Sequence, residues 1–242
     1  MSFYSDFAPY YELVFPFREE VYSFLTEHAG RSGGAVLDAG CGPGHYCGMF
    51  LRDGFRVTGI DLDRMMIDAA SAAYPQGVFQ CMDIAGISSL QSSFTLVYSI
   101  GNVLAHLSFE KIEAFLADVY AALESGGFWI VQVVNWDYLL TLKDYTFPVK
   151  TLAGEAVTFQ RCYSQISPEG VVFEVQLTVE GKTAFNDQSH LFPYASNRLL
   201  QLHQAAGFSL AGVYAGFDKS AFRKDRYSGL IMVFQKGEGL LN

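Results

Sequence analysis

Val36-Leu37-Asp38-Ala39-Gly40-Cys41-Gly42-Pro43-Gly44-His45-Tyr46 is the stretch around which the chain is organised. A short apolar run ends in an acidic residue and then in glycine at every second position. This reads as a buried strand that stops abruptly and turns into a helix. Glycine tolerates positive φ and, lacking a Cβ, lets a ligand approach the backbone. Such a turn at the carboxyl end of a parallel strand is where open α/β sheets bind nucleotides.

Working outward, short apolar runs alternate with helical patterns. Ala35–Asp38 is expected as the first strand and residues 45–53 as a helix ended by Gly54. Phe55–Ile60 reads as the second strand, and Met65, Met66 and Ala69 mark the next helix. Val78–Cys81 and Phe94–Ser99 read as further strands. Ser108 is expected to cap a helix striped by Ile112, Phe115, Leu116, Val119 and Leu123 and stopped by Gly126-Gly127. Phe128–Val134 is apolar on both faces, as central parallel strands are. Upstream, Val21, Phe24, Leu25 and His28 fall at helical spacing. The aromatic segment before them, with Tyr4, Tyr10 and Tyr11, is expected to fold over a neighbouring cleft.

Beyond residue 138 the pattern changes. Val157–Tyr163, Val171–Val179 and Thr183–Leu191 alternate apolar and polar residues, with Ser167-Pro168-Glu169-Gly170 as a turn. A three-stranded antiparallel insertion over about residues 138–192 is expected. Ser196 then caps a helix carrying Leu199, Leu200 and His203, ended by Gly207. Phe208–Phe217 and Tyr227–Gln235 form a closing antiparallel pair. The fold class is therefore α/β: a doubly wound, seven-stranded, mostly parallel sheet with its last strand antiparallel and an antiparallel β insertion. The whole chain, 1–242, reads as one domain, with a cap segment over about residues 1–30.

Half of the residues are apolar and 17% are charged, which argues for a well-buried globular chain rather than disorder. A formal net charge of −9 repels phosphate backbones, so nucleic acid is not expected as a partner. Arg223-Lys224-Asp225-Arg226 is a local basic knot and reads as a solvated loop. No signal peptide and no membrane span are evident. Cys41, Cys47, Cys81 and Cys162 show neither CxxC nor zinc-like spacing, so no metal is expected and the cytoplasm is the default. A homodimer is compatible with the chain, although no residue specifies one.

Three acidic positions sit at or near strand ends. Asp38 lies in the glycine turn. Asp61 closes the second strand 17 positions beyond Gly44, where a carboxylate can accept both hydroxyls of a ribose. Asp83 follows the third strand, where it can accept from an exocyclic amine. A lone aspartate in such a place is usually a cap or a surface charge; three at successive βα positions of one sheet edge point to a ligand. Leu62, Met66 and Ile84 are apolar neighbours able to sandwich a flat base.

Residues 36–44, with Gly59-Ile60-Asp61-Leu62-Asp63 and Met82-Asp83-Ile84, resemble the first three motifs of class I S-adenosylmethionine-dependent methyltransferases. The element order is similar over about residues 15–236. The resemblance implies S-adenosylmethionine as cofactor, with Gly40, Cys41 and Gly42 under its methionine part and Asp61 on its ribose. Leu62 and Met66 would lie near the adenine, and Asp83 and Ile84 at its edge and face. Asp38 would chiefly order the turn. A narrower likeness joins Ser99-Ile100-Gly101-Asn102-Val103-Leu104-Ala105-His106-Leu107 and Asn135-Trp136-Asp137 to the glycine N-methyltransferase group of small-molecule methyltransferases. It implies cofactor contacts at Ile100 and His106 and an acceptor contact at Asn102. By distance upstream, it also implies a cofactor-carboxylate contact at Arg18 and a substrate-side tyrosine at Tyr11. His106 also reads as a core histidine and Arg18 as a surface charge. Where the glycine-specific enzymes place an arginine for the acceptor carboxylate, this chain has Val134.

The expected reaction is in-line methyl transfer to a nitrogen or oxygen of a small-molecule acceptor. Alignment of nucleophile, methyl and sulfur can supply ~7–11 kcal/mol of the barrier in favourable cases. Tyr11, Asn102 and His106 are the catalytic candidates, His106 being the titratable one. Two rivals are a nicotinamide-dependent dehydrogenase and a methyltransferase-like binding protein without turnover. The first needs a third glycine where this chain has His45.

Overall fold

The computed structural model describes residues 10–152, 154 and 156–237; Tyr4 lies outside them. Two sheets make up the molecule. The larger has seven strands in the order β11-β12-β5-β4-β1-β2-β3. Here β1 is Ala35–Ala39, β2 Arg56–Asp61, β3 Val78–Cys81, β4 Phe94–Ser99, β5 Leu123–Val134, β11 Phe208–Tyr214 and β12 Gly229–Lys236. Strands β1 to β5 are mutually parallel, and β12 runs antiparallel to both β5 and β11. The expected doubly wound sheet with its terminal antiparallel pair is thus observed.

Successive residues of β1 point to opposite faces, and all five are buried. Val36 joins Leu96, Tyr98 and Ile130 in a core with α2 (Glu19–Thr26), α3 (His45–Arg52) and α4 (Arg64–Ala73). Leu37 joins Val97, Trp129 and Val131 in a core with α5 (Ile112–Ala122) and α7 (Ser196–Ala205). Both cores remove nearly all of their side chains from water, and burying each Leu, Val or Phe contributes ~1.5–3 kcal/mol.

Several boundaries differ from the sequence reading. Ser108 does not cap α5: its carbonyl accepts from Lys111 N (3.0 Å) in a separate turn, and the helix begins at Ile112. The preceding Leu107 is extended and its carbonyl is held by the Tyr194 hydroxyl (2.8 Å), so the chain enters the helix late. Leu123 leaves the helix stripe because it already pairs with Phe94 as the first residue of β5. Gly126-Gly127 consequently lie inside a bulged strand rather than at a helix stop. Ser196 is the first residue of α7, not its cap; its N–H is taken by Asp137 (2.9 Å) from α6 (Trp136–Leu139).

The insertion is larger than expected. It has five strands: β6 (Tyr145–Thr146), β7 (Lys150–Leu152), β8 (Val157–Ser167), β9 (Gly170–Val179) and β10 (Lys182–Leu191). The two short strands escape a period-2 reading because neither is long enough to alternate. Val171, Val175 and Leu177 of β9 face inward and are buried. The sheet meets the main core through Phe147, Tyr163 and Leu191. It also packs on a short helix, α1 (Tyr11–Val14), through a third apolar cluster of Val14, Met66, Val157, Phe159, Leu177 and Phe185. The Lys150 ammonium donates to the Val14 carbonyl at 2.8 Å and ties the N-terminal segment to this sheet.

Candidate active site

The carboxyl edges of β1, β2, β3 and β4 converge below α1 and the insertion. Gly40 adopts φ +97°, and a Cβ there would stand 2.6 Å from a Val103 methyl. Gly42 adopts φ +52°, and a Cβ would meet the Tyr11 ring at 3.4 Å. At Gly40 only glycine fits both the backbone conformation and the space, while at Gly42 the positive φ alone favours glycine. The turn is fastened to β2: Gly40 N and Cys41 N both donate to the Ile60 carbonyl, at 2.8 and 3.0 Å.

Asp61, the last residue of β2, accepts from Gly42 N through Oδ2 and from Asp63 N through Oδ1, both at 2.9 Å. Each oxygen keeps a lone pair for a hydroxyl donor. Burial raises its carboxyl pKa, against the pull of those two N–H groups. Leu62 beside it is 72% exposed, an unusual position for a leucine at a sheet edge. Ile84, 9% exposed, follows Asp83, which caps the 3-10 turn Ile84–Leu90 by accepting from Ala85 N (2.9 Å). Asp83 also lies 3.8 Å from the Lys111 ammonium. Met66 is fully buried against α1 and the insertion, deeper than Leu62.

Asp38 is 2% exposed. Its Oδ2 accepts from the Tyr98 hydroxyl (2.8 Å) and the Cys47 thiol (3.6 Å), while Oδ1 has no partner among the described residues. Burial pushes its pKa up to about 7, Tyr98 and Cys47 pull the other way, and the Asp61 charge adds to the rise. The two aspartates hinder each other's ionisation, and a cation between them relieves both. Tyr98 was invisible to the motif reading, although it pairs directly with Asp38 in the β1–β4 register.

Tyr11 lies over the turn, 6.1 Å from His45 and 5.4 Å from Phe15 between ring centroids. Desolvation, then the charges of Asp61 and Asp38, raise its phenol well above the usual range, so it stays protonated at neutral pH. Asn102 adopts φ +68° at the carboxyl end of β4. Its Oδ1 accepts from Val134 N (3.2 Å) and its Nδ2 reaches the Tyr163 hydroxyl (3.5 Å), joining the main sheet to the insertion. Ile100 is half-buried on the α2–α3 side of the sheet. His106 ends the 3-10 turn Val103–His106 with its ring exposed. Desolvation by its surroundings pushes its pKa down, to about 4. An exposed ring hydrates and limits that fall, but the imidazole is neutral at pH 7 on either footing. Arg18 precedes α2 and pairs with Glu20, both half-exposed. The edge thus brings Gly40, Cys41, Gly42, Asp61 and Tyr11 together; Arg18 pairs with Glu20, and its charge also reaches Tyr46 at the start of α3.

Asn135-Trp136-Asp137 proves to be a joint. Asn135 Nδ2 donates to the carbonyls of Arg223 and Arg226, both at 2.8 Å, so the basic knot is fastened to the end of β5. This seats Tyr227 against Tyr145, with stacked rings 4.8 Å apart. Arg161, between Phe159 and Tyr163 on the inward side of β8, is a further neighbour that the sequence reading passed over. A charge interrupting an apolar stripe was the available signal.

The residues suit S-adenosylmethionine: a glycine-rich turn, a carboxylate with two spare lone pairs for a diol, a buried acid with one oxygen unpartnered among the described residues, and the apolar side chains of Leu62 and Ile84 next to Asp61 and Asp83 in the chain. Residues 36–127 match the family model described as a methyltransferase domain. A malonyl-[acyl-carrier protein] O-methyltransferase from Erwinia billingiae (strain Eb661) is 31% identical over 121 residues, 50% of this chain and 46% of that protein. The match therefore spans about half the length of that curated relative. Two solved structures share the fold. A S-adenosylmethionine-dependent methyltransferase from Clostridium acetobutylicum ATCC 824 has a TM-score of 0.80 at 15% identity, over 97% of this chain and 99% of that one. The S-adenosylmethionine-bound amino pentose methyltransferase CalS10 from Micromonospora echinaspora has 0.68 at 16%, over 98% and 92%. Motif, sheet order and family match agree: residues 36–127 are similar to a methyltransferase domain, and the chain has the fold of solved S-adenosylmethionine-dependent methyltransferases.

Proposed function

We propose that the protein transfers the methyl group of S-adenosylmethionine to a nitrogen or oxygen of a small-molecule acceptor. The observation that carries this reading is Asp61: a half-buried carboxylate held by Gly42 N and Asp63 N at the end of β2, beside a turn whose Gly40 leaves no room for a side chain. The name of CalS10 supports a small acceptor, an amino pentose, whereas that of the Erwinia enzyme gives a malonyl group carried on a protein.

S-adenosylmethionine supplies an electrophilic methyl on a sulfonium, so the chain's task is alignment rather than covalent help. Asp61 would bind the ribose, Gly40, Cys41 and Gly42 would give the methionine part close access to the backbone, and Asp83 with Ile84 would meet the adenine. Asp38 and Asp61 place negative charge near the cationic end. The face of Tyr11 offers a cation–π contact worth ~0.5–2 kcal/mol. Asn102, bridging Val134 and Tyr163, lies on the acceptor side, and neutral His106 is able to take a proton from an acceptor. The N-terminal segment and the insertion roof this space as parts of one domain.

The test is to incubate the protein with labelled S-adenosylmethionine and a metabolite extract. Label is expected in a low-molecular-weight product. Tight cofactor binding without label in any fraction would favour a binding protein, and binding of NAD in its place a dehydrogenase.

A further inference from the structure

Helix α3 carries a glycine in its interior, Gly48, although glycine weakens a helix there. The reason is steric: the ring of Tyr74, the residue just beyond α4, lies directly on Gly48, where a Cβ would overlap it. That ring forms one wall of a surface cleft of about 330 Å³. Its other walls are His45 and Met49, one turn apart on α3, and Glu12, Pro16 and Phe17 from α1 and the segment that leaves it. Phe17 stands nearly perpendicular to the imidazole, with centroids 6.4 Å apart, and packs on Tyr46 at 5.4 Å. None of the six lining residues belongs to the cofactor edge described above, although His45 lies 6.1 Å from Tyr11.

We propose that this cleft binds a small organic cation, a protonated amine on an apolar body, at a site separate from the acceptor space. The proposal does not depend on the methyltransferase reading.

Glu12 is the one carboxylate lining the cleft among the described residues, and no lysine or arginine among them lines it. Its charge acts on two of the walls. Burial lowers the His45 pKa and the Glu12 charge opposes that fall; burial raises the Tyr74 phenol and the Glu12 charge adds to the rise. A carboxylate that lines the cleft and acts on two of its walls presents its charge to the space between them. Both groups are uncharged at pH 7, so neither neutralises it. Among the described residues Glu12 also has no ion pair: the lysines and arginines that form one do so with other acids.

The rest of the lining suits a cation with an apolar body. Faces of Phe17 and Tyr74 attract a cation through the ring quadrupole, and the Met49 thioether is polarisable and adaptable in shape. An anion would meet Glu12 in a chain whose net charge is already −9. A hard metal ion needs several oxygen ligands, and one carboxylate does not supply them. A volume at the lower end of small-molecule sites limits the occupant to a small aryl or alkyl amine. An ammonium would donate to the Glu12 carboxylate, a charge-assisted hydrogen bond, and lay its apolar part along Phe17, Met49 and Tyr74.

The experiment titrates the full chain with benzylamine, protonated at pH 7, against neutral benzyl alcohol and anionic benzoate. It is run without cofactor and again with saturating S-adenosylhomocysteine. Benzylamine is expected to bind about ten-fold more tightly than either partner, in both states of the protein. Glu12→Gln, an isosteric change at an exposed position, should erase the preference. Phe17→Leu keeps apolar bulk without a ring face and should weaken benzylamine about three-fold, with a melting curve showing that each variant is folded. No preference in the wild type, or one that survives Glu12→Gln, overturns the proposal. A Glu12→Gln variant that melts lower yet binds benzylamine as before would make Glu12 a partner of the α3 dipole and not of a ligand. A preference seen only with S-adenosylhomocysteine would place the amine in the acceptor space and overturn the separate site. Failure to bind S-adenosylhomocysteine would overturn the methyltransferase reading and leave the cofactor-free titration to decide this one.

Discussion

Two buried polar clusters sit on opposite faces of the main sheet, and they are finished differently. On the α5–α7 side, Trp129 Nε1 donates to His203 Nε2 (2.8 Å), and His203 Nδ1 meets the Leu199 carbonyl (2.6 Å). Phe234 stacks on the imidazole with centroids 3.9 Å apart. Every polar atom of the His203 ring has a partner. On the α2–α3 side, Tyr98 and Cys47 both converge on Oδ2 of Asp38, and Oδ1 is left bare. A buried acceptor without a donor costs ~1–3 kcal/mol. The His203 cluster is closed, whereas the Asp38 cluster, among the described residues, keeps an acceptor in reserve beside the glycine turn. Unspent hydrogen-bonding capacity of this kind gathers at functional sites.

The contrast can be broken most forcefully at the turn itself. Gly40→Val puts a branched side chain at φ +97° and against Val103. Backbone strain of ~1–3 kcal/mol adds to overpacking of ~1–3 kcal/mol. A melting scan should show this as the largest loss of the series, with no cofactor-induced shift; wild-type stability in the variant would mean that the turn is slacker than described.

Proton linkage separates the clusters next. Asp38 titrates near 7 in the folded chain against an ordinary 3.8. Its folded pKa is raised, so the associated stability is present below pH 3.8 and lost as the pH climbs through 7. The rise from 3.8 to about 7 corresponds to ~4 kcal/mol. Asp38→Asn keeps an acceptor for Tyr98 and cannot ionise. Cofactor-free Asp38→Asn should therefore exceed the wild type in urea stability at pH 8, with the gap closing toward pH 4. A pH-independent gap would place the effect in packing.

His203 works in the opposite direction. Burial holds its pKa down at about 4 against 6.5, while the Leu199 carbonyl pulls it upward. Its contribution is present above pH 6.5 and lost as the pH falls through 4, ~3 kcal/mol in all. In the Asp38→Asn background, where the first effect is silent, urea stability should fall between pH 7 and 4. A flat profile would indicate that the folded protein accommodates the protonated ring.

The same contrast explains what the sequence disclosed. Gly40, Gly42 and Asp61 were legible because a turn that excludes side chains, followed at fixed spacing by a strand-end carboxylate, leaves few alternatives. The alternating faces of β8 to β10 announced a second sheet. By contrast, Tyr98 and Cys47 meet Asp38 only through strand pairing and the α3 turn, and neither carries a local pattern. β6 and β7 are too short to show a period. Ser108 looked like a cap but was drawn into a turn by Tyr194, and Asp137 does for α7 what Ser196 was expected to do. Arg161 was visible as a break in a stripe, yet the rings around it come from Phe15 just after α1, from β8 and from the segment joining β6 to β7, so only the assembled fold gives it meaning.

The most direct test is calorimetric titration of S-adenosylmethionine into the wild type and Asp61→Ala, with a melting curve of each. Removing the carboxylate proposed to bind the ribose is expected to weaken binding at least a hundred-fold, ~2.7 kcal/mol, while the variant still melts as a folded protein. Equal affinity in the two proteins would contradict the assignment of this edge as the cofactor site.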